Sequence, residues 1–475
     1  MIKSVSKTQV LDRIRFENPW WVTKRVESFY DQMPKRKYFD PFSKLAAASG
    51  VKRSIVLLGP RRVGKTVLLH HWVQSLIDAG VNARKILFIT IENPVYNQMG
   101  LEQLFSMARE ASGDTSDAKG WYVIFDEIQY LDDWDVQLKG LTDSYRDCKF
   151  VASGSAAATL QHKSKESGAG RFSDFLLPPI TFHEFIDMQD LHHMLQPTVL
   201  LRGGRDVPMF KAADIRLLNK LFLDYINFGG YPEAIFSETV RQNPERFIRQ
   251  DIIDKVLMRD LPGNYGISDL QELNALFTTI AFNTAQEFSL ETLSRQSGLQ
   301  KNTIRKYLHY LESAFLIRIV KRTDQSGKRF KRENFFKIYL VNASLRTALF
   351  SPVQAWDASM GAMAETAIFG QWMHRANFTP YYARWNRGEV DMIGLNKKNL
   401  QPAWALEIKW SDKVYEEPTR LKSLISFCGE NYLKQALVTT IHHHDVKMAG
   451  DIEVTFIPCS TYAYTVGLNT INAST

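Results

Sequence analysis

Residues 54 to 69 read SIVLLGPRRVGKTVLL: an apolar run, a glycine-bounded loop, then a helical pattern. Few short stretches constrain a fold as tightly. Gly59, Gly64, Lys65 and Thr66 stand at the G-x-x-x-x-G-K-T spacing of a phosphate cradle, between the strand and the helix that such a loop requires. The glycines let the backbone wrap a phosphate with its N–H groups, and the helix that follows offers its positive end. Lys65 supplies a point charge to the β and γ phosphates, and the Thr66 hydroxyl reaches Mg²⁺. Gly59, Pro60, Arg61, Arg62, Val63, Gly64, Lys65, Thr66 and Val67 are therefore the expected nucleotide-binding loop, with ATP and Mg²⁺ as cofactors.

A second apolar strand, WYVIFDE at 121 to 127, ends in two acids. Asp126 is expected to share the Mg²⁺ shell with Thr66, and Glu127 to polarise the attacking water. A third, CKFVASGSA at 148 to 156, ends in hydroxyls. Ser153 or Ser155 is placed to sense the γ phosphate, although small polar residues at a strand end serve turns equally well. Arg171, in the Gly-flanked run ESGAGRF, stands where an arginine finger could reach a neighbouring subunit's nucleotide; a plain surface arginine is the other reading. A finger acting in trans implies a homo-oligomer.

With 475 residues the chain exceeds one ordinary core, and about three units are expected from roughly 150 residues each. Hydrophobic content of 45% with 23% charged residues is that of a folded, soluble protein. The start MIKSVSKTQVLDRIRF lacks an apolar signal core, and no run approaches the roughly 18 to 20 apolar residues that span a bilayer, so a cytoplasmic protein without a membrane partner is expected. Cys148, Cys428 and Cys459 are too scattered for a disulfide framework or a zinc knuckle, and read as reduced thiols. A net charge of +8 suits a polyanionic partner but also simple solubility.

Taken together, GPRRVGKT, VIFDEIQYLDDW, SGSAA, the SGAGR…LLPPITFHEF run, FGGYPEA at 228 to 234 and FENPWW at 16 to 21 resemble the prokaryotic AAA-type ATPases that carry a C-terminal domain of unassigned function. The resemblance implies an ATP-binding fold with a parallel sheet. It implies much less about biological role.

Residues 186 to 275 show helical periodicity and little chemistry, and are expected to form a helical lid. Next, FSLETLSRQSGLQKNTIRKYLHYLESAFLIRIVKR (288 to 322) has the cadence of a helix, a turn at Gly298 and a second helix near Asn302. Ile304, Tyr307, Leu308 and Leu311 are expected inside, with Lys301, Asn302, Thr303, Arg305 and Lys306 outside. Two strands, LIRIV and NFFKIYLV, complete a winged-helix pattern. Residues 318 to 337 carry eight Lys or Arg against two acids, a cluster suited to nucleic acid, DNA ahead of RNA, or to a charged protein interface.

After a possible linker at 351 to 358, GAMAETAIFGQWMHR reads as a helix bearing Glu365, followed by the strands TPYYARW, EVDMIGL and PAWALEIKW. Alternation places Glu407 and Lys409 on one face, and an antiparallel neighbour would bring Asp391 beside them. Such a cluster could bind a divalent cation, with Lys409 orienting a water or stabilising a pentavalent phosphate. The order looks like that of the restriction-endonuclease-like core, whose motif is written PD-(D/E)xK. The resemblance implies Asp391, Glu407 and Lys409 as a catalytic set, Asp391, Glu407 and Glu365 as metal ligands, and Val390 where that motif has proline. An endonuclease-like fold kept only for binding or assembly is the alternative. The HHHD run at 442 to 445 reads as a surface segment, because adjacent residues of a strand point in alternate directions.

The expected architecture is thus an α/β chain: an N-terminal segment (1–48), a P-loop core (49–185), a helical lid (186–275), a winged helix (276–350) and an endonuclease-like domain (351–475). The expected function is ATP hydrolysis tied to a protein that engages nucleic acid and cuts it at the C-terminal site. A nucleotide-driven switch with an inactive C-terminal domain, and an ATPase that remodels DNA, stay open beside it.

Overall fold

The computed structural model describes residues 5–48, 52–114, 118–155, 170–202, 205–262, 267, 269–329, 334–372, 375 and 378–473. Residues 167–169 of the segment before Arg171, and 330–333 of the basic hairpin, lie outside these. The chain divides into two compact units, Met1–Pro178 and Pro179–Thr475.

The first unit holds a five-stranded sheet made of β1 (Ser54–Leu58), β2 (Ile86–Thr90), β3 (Tyr122–Asp126), β4 (Lys149–Gly154) and β5 (Phe172–Leu176) in the order β2-β3-β4-β1-β5. Every pairing is parallel. SIVLL of β1 and ILFIT of β2 are nearly continuous apolar runs because helices cover both faces of such a sheet.

β2 is an edge strand, and the FENPWW stretch closes it. Asn18, which is buried, donates to the Phe88 carbonyl at 2.8 Å and accepts from the Phe88 amide at 2.7 Å. The indoles of Trp20 and Trp21 both donate to the Ile86 carbonyl, at 3.0 and 2.8 Å, and Glu17 accepts from the Thr90 amide at 3.2 Å. Side chains thus satisfy the alternate backbone groups that a sixth strand would have paired.

The second unit begins with helix Phe182–Asp187 and then a hairpin, β6 (Leu195–Arg202) and β7 (Arg205–Ala212), paired from Leu195–Ala212 down to Arg202–Arg205. The all-helical expectation for 186–275 is corrected here. Helical periodicity does run through Ile215–Phe228, but TVLLR and DVPMFKA pair as strands, with Val199 opposite Pro208 and Leu200 opposite Val207.

Helix Leu290–Ser297, Gly298 at φ +75°, and helix Lys301–Ser313 follow as expected, and Ile304, Tyr307, Leu308 and Leu311 are the buried residues of the second helix. The positive φ at Gly298 lets the chain leave the first helix in a left-handed turn. The strands here are β8 (Glu287–Ser289), β9 (Ile317–Thr323) and β10 (Phe335–Leu340).

These three do not stand apart from the C-terminal strands. β9 pairs in parallel with β11 (Tyr381–Trp385), and the sheet continues through β12 (Gly388–Leu395), β13 (Pro402–Glu407), β14 (Gln435–Thr440), β15 (Asp445–Ala449) and β16 (Ile452–Pro458). One nine-stranded sheet results, in the order β15-β16-β14-β13-β12-β11-β9-β10-β8. The boundary expected at 350/351 therefore falls between strands of a single sheet. Tyr382, Met392, Leu406 and Leu437 pack on one core with helix Met360–Trp372, while Ala383, Val390, Ile393 and Val438 belong to another with helix Lys422–Glu430.

Strict alternation breaks at a useful place in β12. Tyr381 is opposite Ile393 but Ala383 is opposite Val390, so β12 carries one extra residue. The bulge sends Val390 and Ile393 to the same core and re-aims Asp391 and Met392 between them.

Removing the edge cap provides a stability test. Asn18→Ala leaves the amide and carbonyl of Phe88 buried without partners, a loss on the order of 3 kcal/mol. A lowered urea midpoint, followed by tryptophan fluorescence, is the expected result.

Candidate functional site

In the first unit the phosphate loop joins β1 to helix Lys65–Asp78. Gly64 sits at φ +93°, and a Cβ on Gly59 would lie 2.2 Å from the Leu177 carbonyl oxygen, so neither position takes a larger residue without displacing backbone. Lys65, which is buried, donates through Nζ to the carbonyls of Gly59 at 3.1 Å and Pro60 at 2.9 Å. Thr66 Oγ1 donates to Asp126 Oδ2 at 2.8 Å.

Asp126 ends β3 and is buried; burial, then the neighbouring charge of Glu127, pushes its carboxyl up to about 6. Ser153 donates to the other Asp126 oxygen and accepts from the Glu127 amide at 3.3 Å. Ser153 is thus engaged with the Asp126 carboxylate and the Glu127 backbone. Glu127 stands at φ +55°, and the Gln129 amide donates to its carboxylate. That left-handed conformation, held by hydrogen bonds at both ends of the residue, is local strain of the kind concentrated at functional sites.

Arg61 reaches the Tyr130 hydroxyl at 2.8 Å, Arg62 is exposed at φ +61°, and Val63 is buried beneath the loop. Val67 lies in the first turn of the helix. Sequence reasoning missed Arg36. Its buried guanidinium donates to the Val63 carbonyl at 2.5 Å and to the Pro178 carbonyl at 2.9 Å, pinning the loop from below. Nothing in the run PKRKY distinguishes it from the lysines beside it.

Arg171 immediately precedes β5 and pairs with Asp143 at 2.7 Å. Because Phe172 is in register with Ser54, Arg171 lies at the opening end of β1, whereas the phosphate loop leaves its closing end. It does not join its own phosphate loop.

In the second unit the expected C-terminal residues do come together. The antiparallel register of Met392 with Leu406 sets Asp391 beside Glu407. Lys409 Nζ lies 3.1 Å from Asp391 Oδ2 and 2.8 Å from Glu407 Oε1. The Ile408 amide donates to Asp391 at 2.9 Å, while Thr439 Oγ1 accepts from the Lys409 amide at 2.8 Å. Glu365, on helix Met360–Trp372, reaches the same pocket through a residue that the sequence reading did not single out. Lys337 on β10 bridges Glu365 at 3.0 Å, Glu389 at 2.7 Å and Asp391 at 3.7 Å. The adjoining cavity, of about 490 Å³, is lined in part by Glu287, Lys337, Glu365, Arg384, Glu389 and Asp391.

The electrostatics of the pocket are uneven. Burial, reinforced by the charge of Asp391, pushes Glu407 up to about 7, and burial likewise raises Glu365. Burial also opposes ionisation of Asp391, but Lys409 and Lys337 outweigh it and hold that carboxyl below the usual range. Glu407 Oε2 is buried without a hydrogen-bond partner. Among the described residues no group of three His, Cys, Asp or Glu side chains is disposed to hold a metal ion. His442 pairs with Asp412 at 2.7 Å and His443 stacks on Tyr415, so these two members of the HHHD run have separate partners. No described helix is long and apolar enough to cross a membrane.

Residues 51–186 match a family model described as an AAA domain, and residues 219–355 match that of a domain of unknown function. Among curated proteins, an uncharacterized protein of Haemophilus influenzae is 24% identical over 407 residues, spanning 85% of this chain and 92% of that protein. Two uncharacterized proteins of Methanocaldococcus jannaschii are 22% and 20% identical, over 76% and 67% of this chain and 78% and 67% of their own lengths. The AAA match covers β1 to β5, the phosphate loop and the Asp126–Glu127 pair. Residues 51–186 are an AAA-type P-loop ATPase-like region of a mixed α/β chain.

Proposed function

We propose that this protein hydrolyses ATP at the phosphate loop and uses the second unit to engage nucleic acid, DNA ahead of RNA, and to cleave it at Asp391, Glu407 and Lys409. The observation that carries the reading is the convergence of those three side chains, with Lys409 within 3.1 Å of both acids.

At the phosphate loop, Thr66 Oγ1 and Asp126 Oδ2 are 2.8 Å apart, close to the separation of neighbouring ligands around an ion that binds oxygen at about 2.0–2.1 Å, so the pair fits magnesium. Magnesium, held by Thr66 and Asp126, would supply positive charge toward the phosphates of the nucleotide. The chain's own residues do the rest: Lys65 meets the phosphates, Glu127 orients the water, Gln129 and Ser153 fix the two acids, and Arg36 holds the loop. Arg171 faces away from its own nucleotide, and a homo-oligomer would let it serve a neighbour's.

At the second site the orphaned Glu407 oxygen and the adjacent Asp391 carboxylate fit one divalent cation, which when bound supplies Lewis acidity toward a phosphodiester. Lys409 is placed to orient water or to neutralise the charge that develops on phosphate. Lys301, Arg305 and Lys306 on the exposed side of helix Lys301–Ser313, with Lys321, Lys328 and Arg329 of the hairpin, would contact the nucleic-acid backbone. A specific observation favours a second reading: Lys337 and Lys409 already neutralise the acids, as in a nucleotide-driven switch whose endonuclease-like part is inactive.

Glu127→Gln is expected to bind ATP within about threefold of wild type while kcat falls by on the order of 10²- to 10³-fold, as read by steady-state phosphate release. Asp391→Asn and Lys409→Ala are expected to lower Mg²⁺- or Mn²⁺-dependent DNA cleavage by on the order of 10²-fold or more in a gel assay. Cleavage unchanged in both variants would leave the switch reading in its place.

A further inference from the structure

Composition counts Lys337 among the eight basic residues of 318 to 337, a run that suits a polyanion. The structure turns it inward. Its side chain is 4% exposed, and Nζ is held by Glu365, Glu389 and Asp391 at 3.0, 2.7 and 3.7 Å. Tyr339, two residues along the same strand, donates to the same Glu365 oxygen at 2.6 Å.

The pocket therefore has two unlike ends. At the Glu365–Glu389 end an ammonium of this chain sits among oxygens at distances where it does for them what a divalent cation does at about 2.0–2.6 Å. At the Asp391–Glu407 end the cation is Lys409, whose side chain is 38% exposed, and one Glu407 oxygen has no partner. Lys337 is thus the buried cation of the pocket, beside the cavity lined by Glu365, Glu389 and Asp391, and Lys409 is the more exposed one.

We propose that Lys337 is the built-in counter-cation of this pocket, filling the position at Glu365 and Glu389 that a second divalent ion would need, so that the site takes a single divalent cation, at the Asp391–Glu407 end. The placing of that one ion rests on the metal reading of Asp391 and Glu407 given above, whereas the part assigned to Lys337 does not. Lys337 is a positioning residue in this scheme: it sets how many ions the acids hold, and touches no substrate.

The test is a Mn²⁺ titration of the full chain without nucleotide, counting bound ion from the loss of the free-ion EPR signal and assigning to this pocket only ions that Asp391→Asn removes. Wild type is expected to hold no more than one such ion. Lys337→Ala and Lys337→Gln are expected to hold one more than wild type, and Lys337→Arg the wild-type number. Two ions in wild type would overturn the inference without recourse to any Lys337 variant, and so would wild-type counts in both the Ala and Gln chains. Zero ions in wild type with one in Lys337→Ala would uphold the role of Lys337 and remove instead the metal reading of Asp391 and Glu407.

Discussion

Charge that must be buried in company organises the second unit. The nine-stranded sheet is continuous only because β9 and β11 pair over three residues, Lys321 to Thr323 against Tyr381 to Ala383. So short a parallel contact is a weak splice, and ionic groups cluster across it. Glu287 of β8 takes Arg322 of β9 at 3.6 Å, Arg384 of β11 at 3.3 Å and the Tyr382 hydroxyl at 2.8 Å, while Arg384 also reaches Glu389 of β12. Lys337 extends the network from β10 to helix Met360–Trp372 and β12. Taking such groups out of water costs several kcal/mol per ion, recovered only when the partners stay in place. The network therefore favours one alignment of the two strand sets over any slipped alternative.

What the sequence disclosed was what is local. The phosphate loop is legible because strand, loop and helix are contiguous and each glycine has a steric reason; Asp126 and Glu127 are legible because they end an apolar strand. Asp391, Glu407 and Lys409 could be anticipated since a turn and a short loop bring neighbouring strands together. The residues that escaped notice act across distance: Arg36 pins Val63 from the N-terminal segment, and Lys337 reaches Glu365 of helix Met360–Trp372 from β10. A lysine in a basic run offers no sign that it faces inward, and burial is settled by strand order, which composition does not encode. The bulge at Asp391 was hidden for a related reason, because a bulge shows only against the partner strand. The hairpin at 195–212 was masked by the helical patterns on either side of it.

The two sites share a chemical habit. In each, a carboxylate is buried beside a second acid, Asp126 at the end of β3 and Asp391 at the bulge of β12, and hydroxyls or amides of the same chain hold its oxygens: Thr66 and Ser153 for Asp126, the Ile408 amide for Asp391. They differ in the cation each keeps at hand. Lys65 of the phosphate loop rests on neutral carbonyls, whereas Lys409 rests on the carboxyl groups of Asp391 and Glu407.

The plug at β2 has its own reach. A parallel sheet left bare along one margin invites a second molecule to lengthen it, and chains that meet in this way have no built-in stopping point. Here Asn18, Trp20 and Trp21 occupy that margin with the protein's own opening residues, so growth there is forbidden before any partner arrives. The five-stranded sheet can therefore not be lengthened past β2 by another chain, and its remaining open margin is β5.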